Sequence, residues 1–225
     1  MLDRLAPGIW TVSAPLKLAG AEFGTRMTVV RIAERVLVLI APVEIDAALA
    51  GELAEIGEVG ALIAPNAFHH LYFLAATKRY PDAACFLAEG VEKKLGVRPA
   101  GAWDLADDPD SLWKGELEQV FLGGAPLTNE VIFFHGATKT LILTDLCFNF
   151  DPAPGGWTGL FLRLAGAHGQ LAVSRLMRSS LKDKERVRAT IARILEWDFD
   201  KIIMSHGHNV MSDGKERFRL ATRGL

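Results

Sequence analysis

A run of five apolar residues, Val36-Leu37-Val38-Leu39-Ile40, constrains the fold more than any other part of the sequence. A strand that covers one side of a sheet alternates apolar and polar residues, whereas a continuous apolar run is typical of a strand buried on both faces. The sequence therefore predicts a sheet with a covering layer on each side. A short hairpin connection is expected just before this run, at Glu34-Arg35.

The remaining elements follow the order expected of an α/β (α+β) protein. One helix is predicted between Asp46, which can cap its start, and Gly57, which ends it. A second carries Phe68, Leu71, Tyr72 and Ala75 on its apolar stripe. The block 155–197 is also predicted to be helical. Strands are predicted at 9–13, 27–32, 59–64, 83–88, 117–122, 130–135, 140–147 and 201–204. This order fits mixed sheets covered by helices, and we expect a single domain spanning residues 1–225.

Charge and composition exclude several classes of protein. A net charge of −2 and a pI near 6.3 lack the basic surplus of nucleic-acid-binding proteins. Two cysteines are too few for a disulfide framework. The uncharged stretch 59–77 contains Pro65, Asn66, His69 and His70, which are costly or disruptive in hydrocarbon. We therefore expect a cytoplasmic protein without a signal peptide or an integral membrane segment, and with no nucleic-acid partner.

Residues able to bind a metal lie within or directly after three of the predicted strands. His69 and His70 lie off the apolar stripe of their helix, so core packing does not explain them. Asp145 interrupts an apolar strand, where a carboxylate needs a partner or a cation, and His206 follows the strand 201–204. Nitrogen ligands with one carboxylate suit zinc, iron or another first-row divalent metal rather than calcium or magnesium. The alternatives are solvated histidines and a structural aspartate in a turn.

At these residues the chain resembles the metallo-β-lactamase superfamily, and within it an uncharacterised bacterial branch. The first motif of that superfamily, H-x-H-x-D-H, falls on the segment 65–70. Pro65 and Ala67 replace its first two histidines, His69 replaces its aspartate, and His70 matches its last histidine. A further family histidine, expected near 124–126, is also absent. The resemblance implies a four-layer αββα sandwich of two mixed β-sheets flanked by helices.

The resemblance also implies which metal site is retained. The three histidines that hold one metal in the family have no counterpart here. The ligands of the second metal fall on residues that can all coordinate, namely His69, His70, Asp145 and His206. This implies a mononuclear centre for one divalent transition metal, zinc or alternatively iron. Asn66 and His208 lie nearby in the sequence and are predicted to contact substrate.

The resulting hypothesis is a metal-dependent hydrolase that acts on a small-molecule substrate. Asp145 is predicted to accept a proton from water, and His69 takes the position of the aspartate that orients the attacking water in relatives. Two alternatives stay open. The missing histidines favour a catalytically inactive binding or scaffold protein that kept the fold, and the superfamily also includes redox or oxygen-handling iron proteins.

The segment 158–180 has two interpretations. Its apolar residues and three arginines can form an amphipathic surface for a membrane or a partner. Alternatively, the segment is a helix that covers the edge of the site.

Overall fold

The strands and helices of the computed structural model, which describes residues 1–33 and 35–225, fall into two compact units. The first unit consists of Met1–Ala14 and Arg26–Ala106, and the second of Pro15–Thr25 and Asp107–Leu225. The predicted hairpin connection at Glu34-Arg35 lies partly outside the described residues, because Glu34 is not among them. That residues 1–225 form a single domain stays a prediction.

The elements are numbered in chain order. The strands are β1 (Asp3–Ala6), β2 (Ile9–Ala14), β3 (Lys17–Leu18), β4 (Ala21–Glu22), β5 (Thr25–Ile32), β6 (Val36–Ile40), β7 (Glu58–Ala64), β8 (Ala84–Leu87), β9 (Trp103–Asp104), β10 (Leu117–Phe121), β11 (Val131–His135), β12 (Thr140–Ile142), β13 (Phe148–Asn149), β14 (Leu171–Ala172) and β15 (Lys201–Ile203). The helices are α1 (Ala47–Ile56), α2 (Phe73–Arg79), α3 (Val91–Leu95), α4 (Gly156–Ala165), α5 (Arg175–Ser180), α6 (Lys184–Glu196) and α7 (Gly214–Thr222), with one 3-10 turn at Gly136–Thr138.

The first unit contains a mixed sheet with the strand order β1-β2-β5-β6-β7-β8-β9. Strands β5 and β6 pair antiparallel, and β6 to β9 run parallel to one another. Within β6, Leu37 to Ile40 are all buried, as the continuous apolar run predicts. Helix α1 starts at the predicted cap, since the side chain of Asp46 accepts a 2.8 Å hydrogen bond from Leu49 N. It ends at Gly57, where a Cβ atom would lie 2.2 Å from the carbonyl oxygen of Arg35.

The second predicted helix begins later than the sequence pattern indicates. The side-chain oxygen of Asn66 accepts hydrogen bonds from Phe68 N at 2.8 Å and His69 N at 3.0 Å. These bonds hold residues 67–72 in turns, and helix α2 starts only at Phe73. The predicted stripe through Phe68 and Leu71 is therefore wrong: both are exposed, and the helix buries Phe73 and Ala76 instead.

The second unit contains a four-stranded mixed sheet with the order β10-β11-β12-β15. Its first two pairings are antiparallel, and β12 runs parallel to β15. Helix α6 packs the predicted stripe of Val187, Ile191 and Ile194 into the core of this unit. The ladders β3-β4 and β13-β14 are separate two-stranded sheets.

The block 155–197 is not one continuous helical segment. Helix α4 ends at Gly166, whose φ of 73° lies in the left-handed region that glycine adopts without strain. The short strand β14 follows, and new helices begin at the side-chain caps Ser174 and Asp183. These capping residues divide the block, because each offers an acceptor for the first backbone N–H groups of a new helix.

Mixed sheets with flanking helices confirm the predicted fold class. None of the helices in the described part of the chain is long and apolar enough to cross a membrane.

The corrected start of helix α2 can be tested by two substitutions. Phe73 is fully buried, so Phe73→Ala is expected to lower the free energy of unfolding by about 3–5 kcal/mol. Leu71 is 63% exposed, so Leu71→Ala should change it by no more than about 0.5 kcal/mol. Urea unfolding of both variants measures the difference. Equal losses, or a larger loss in Leu71→Ala, would contradict the observed helix.

Candidate metal centre

Asp145 lies in a bend rather than in the predicted strand 140–147. Strand β12 ends at Ile142, and residues 144–146 bend away before β13 begins. The cause is the carboxylate of Glu130, which accepts hydrogen bonds from Thr144 N at 2.6 Å and Asp145 N at 3.1 Å. These two N–H groups are thereby withdrawn from strand pairing, so the predicted strand is too long at its carboxyl end.

Glu130 is a residue of this region that sequence reasoning missed. Its side chain is fully buried, directly before β11. Burial, together with the nearby negative charge of Asp145, raises the pKa of Glu130 to about 7, although the hydrogen bonds from Thr144 and Asp145 act in the opposite direction. A single glutamate at the start of an apolar strand gives no sequence signal for this role, because most such residues are solvated.

His206 follows β15 and is buried. Its Nδ1 atom lies 2.6 Å from the carbonyl oxygen of Gly24, which can only accept, so Nδ1 carries a proton. The ring also has edge-to-face contacts with Phe23 and Phe148, at centroid distances of 5.1 and 5.4 Å. The imidazole is thus fixed in both orientation and tautomer.

Gly207 determines how the chain leaves His206. Its φ is 82°, and a Cβ atom there would lie 2.1 Å from the carbonyl oxygen of Asn149. That same oxygen accepts a 2.6 Å hydrogen bond from His208 N. The loop after β15 therefore lies against β13 so closely that a side chain at residue 207 would displace it.

The second unit brings Asp145 and His206 together, as the family resemblance implies. Nε2 of His206 lies 3.2 Å from Oδ1 of Asp145. With the proton on Nδ1, a neutral ring would face the carboxylate with a lone pair, so a proton or a cation has to lie between the two atoms. Two ligands of a tetrahedral zinc ion are about 3.3 Å apart. The donor set and its spacing thus fit a divalent metal.

The first unit holds the other predicted ligands. His69 and His70 are half-buried in the turn between β7 and α2. Nδ1 of His70 lies 2.9 Å from the carbonyl oxygen of Ala67, an arrangement that metal-binding histidines commonly show. Asn66 is buried, and its side-chain oxygen accepts the two hydrogen bonds from backbone N–H groups that hold this turn. That His69 and His70 bind a metal stays a prediction, as does substrate contact by Asn66.

His208, the other predicted substrate contact, belongs to the second unit and is exposed. Both backbone polar groups of His208 are hydrogen-bonded to Asn149. The His208 N–H donates to the Asn149 carbonyl oxygen, and Asn149 Nδ2 donates a 2.9 Å hydrogen bond to the His208 carbonyl oxygen. His208 lies two residues after His206 in the same loop, and its contact with substrate stays a prediction.

The chain is similar to solved structures of the metallo-β-lactamase fold. One is the metallo-β-lactamase from Erythrobacter litoralis with β-mercaptoethanol in its active site, at 15% identity over 100% of this chain and 96% of that chain, with a TM-score of 0.67. Another is FIM-1 from Pseudomonas aeruginosa in its mono-zinc form, at 12% identity over 99% and 93%, with a TM-score of 0.65. A third is the metal-soaked Flv1 flavodiiron core from Synechocystis sp. PCC6803, at 14% identity over 99% and 60%, with a TM-score of 0.67.

These similarities confirm the predicted fold, which is that of the metallo-β-lactamase superfamily. The chain belongs to the family described as "Domain of unknown function (DUF4336)", whose sequence model matches residues 7–157. No curated protein matches the chain.

The role of Glu130 in holding the Asp145 bend can be tested by removing its carboxylate. Glu130→Ala leaves two N–H groups in a buried region without their acceptor, so the free energy of unfolding should fall by about 2–4 kcal/mol. The matched control is Glu118→Ala on strand β10, where the side chain is exposed and the change should stay within about 0.5 kcal/mol. Chemical unfolding of the two variants gives both values, and an effect of equal size would rule out the role assigned to Glu130.

Proposed function

We propose that this protein is a metal-dependent hydrolase with a mononuclear centre for one divalent transition metal, held by His69, His70, Asp145 and His206. Zinc is the proposed metal, and iron is the alternative. The substrate is a small molecule with a hydrolysable bond.

The observation that carries this proposal is the buried pair of Asp145 and His206. Their facing atoms are 3.2 Å apart, and Nδ1 of His206 is held by the Gly24 carbonyl oxygen. Histidines that bind metals almost always donate their second N–H to such an acceptor, which orients the ring and increases its basicity.

Each proposed residue has a separate task. When bound, the cation supplies Lewis-acid activation of a substrate oxygen and of water. Asp145 accepts the proton released by the attacking water. His69, at the position of the aspartate of relatives, is the second proposed catalytic residue, while Asn66 and His208 contact the substrate.

The mononuclear form is supported by the residues that replace the first two histidines of the family motif. Pro65 and Ala67 are both buried, and neither side chain has an atom that can bind a metal. The first metal of the superfamily therefore has no ligands from this segment.

The same replacements favour a second candidate function. Four protein ligands around one ion form a closed site, which is typical of a structural metal rather than a catalytic one. A catalytically inactive binding or scaffold protein that kept the fold would have such a site.

Metal content tests the proposed centre. Elemental analysis of the purified protein should find about one equivalent of zinc or iron, and His206→Ala and Asp145→Asn should each lose most of it, because the first removes the imidazole ligand and the second the negative charge of the carboxylate. His168→Ala is the control, since His168 accepts a hydrogen bond from Arg163 and is not a proposed ligand. Metal-free protein of normal stability, or full metal content in both ligand variants, would refute the centre.

Activity assays separate the two functions once metal is bound. Ester, thioester, lactone and phosphodiester substrates should be tested with added zinc, manganese and ferrous iron. Hydrolysis that is lost in Asp145→Asn supports the hydrolase. Consistent inactivity of the metal-loaded protein would favour the scaffold. An optical spectrum after anaerobic loading with ferrous iron identifies an iron protein, and cell fractionation tests the proposed cytoplasmic location.

A further inference from the structure

Helix α4 exposes a stripe of large apolar side chains. Trp157, Leu160 and Leu164 are 54%, 50% and 64% exposed, although they follow one another at intervals of three and four residues. That spacing places them within about 60° of one another around the helix axis. On a helix that served only the core of this protein, such a stripe would face inward.

The side of helix α4 that faces the core has packing and hydrogen-bond contacts of its own. Leu162 is fully buried in an apolar cluster with Phe23, Phe148 and Phe150. The indole N–H of Trp157 donates a 3.0 Å hydrogen bond to the carbonyl oxygen of Ala19. The orientation of helix α4 is therefore fixed by its own contacts, and the exposed stripe is a stable surface of the second unit.

The chain segment that carries this stripe is basic, although the exposed Glu22, paired with Lys17, lies beside Thr158 of the helix and Asp151 precedes the segment. Residues 152–182 contain no aspartate or glutamate but four basic residues, Arg163, Arg175, Arg178 and Lys182, in a chain with a net charge of −2. Arg163 and Arg175 are exposed, and the Arg175 guanidinium donates to the carbonyl oxygen of Leu164 at the end of the stripe. Leu176, beside Arg175, adds another side chain that is 69% exposed.

We propose that the stripe of Trp157, Leu160 and Leu164, with Arg163 and Arg175, binds the surface of an anionic lipid bilayer. Leucines enter the boundary between headgroups and acyl chains, tryptophan is favoured at that depth, and arginines pair with lipid phosphates. A ridge on one helix fits a flat, uniformly negative surface better than it fits an acidic protein, which would need complementary pockets. The chain lies on such a membrane and does not span it.

Vesicle sedimentation with the full-length protein tests this proposal. Vesicles of phosphatidylcholine with 30–40% phosphatidylglycerol, roughly the anionic content at which basic surfaces bind, should bind the protein. Pure phosphatidylcholine vesicles and high salt should weaken binding, since both remove the electrostatic attraction. Leu160→Ser should reduce the partition coefficient about fivefold to tenfold, because it removes one buried leucine from the lipid.

The matched control is Leu220→Ser on helix α7, where the leucine is 53% exposed and lies outside the stripe. The Leu220→Ser variant should have the same partition coefficient onto anionic vesicles as the unmodified chain. A second measurement uses tryptophan quenching by brominated lipids, which Trp157→Phe should largely abolish while the protein still sediments with vesicles. Circular dichroism confirms that each variant is folded.

Three results would overturn the proposal. The first is no binding to anionic vesicles at low salt. The second is binding that Leu160→Ser and Leu220→Ser weaken equally. The third is a dimer in sedimentation velocity that Leu160→Ser dissociates, since the stripe would then be covered by a second copy of the chain.

Discussion

The proposed chemistry depends on two buried carboxylates, Glu130 and Asp145, in the second unit. Glu130 draws the chain out of strand β12 by accepting the N–H groups of Thr144 and Asp145, and this bend turns Asp145 toward His206. Burying two negative charges near each other is unfavourable, and the pKa of Glu130 is raised to about 7 as a result. A divalent cation at Asp145 would stabilise both carboxylates.

The sequence predicts the elements of the fold well where the signal is local. The apolar run of β6 and the cap at Asp46 each depend on neighbouring residues, and both predictions are confirmed. Asp145 and His206 are predicted from the sequence because polar residues stand out next to apolar strands, and their role as metal ligands stays a prediction. The errors have a different origin: Asn66 delays helix α2, and Glu130 shortens strand β12. Both depend on side-chain hydrogen bonds to backbone groups, which periodicity does not report.

One aromatic cluster connects the candidate centre with the surface of helix α4. Phe23 contacts His206 on one side and Phe150 and Phe161 on the other, at centroid distances of 5.1, 5.3 and 6.0 Å. Leu162 of helix α4 is buried in the same cluster. Anything that binds the exposed face of this helix therefore contacts an element whose buried residues pack on the same aromatic cluster as His206. This is a physical reason to study vesicle binding and metal binding in the same preparation.

X-ray absorption at the metal edge tests most directly whether His206 and Asp145 bind one metal ion. We expect a single first-row metal whose spectrum shows histidine nitrogen and carboxylate oxygen at about 2.0–2.2 Å, with the histidine contribution reduced in His206→Ala. A spectrum without histidine scattering, or one unchanged by that substitution, would contradict it.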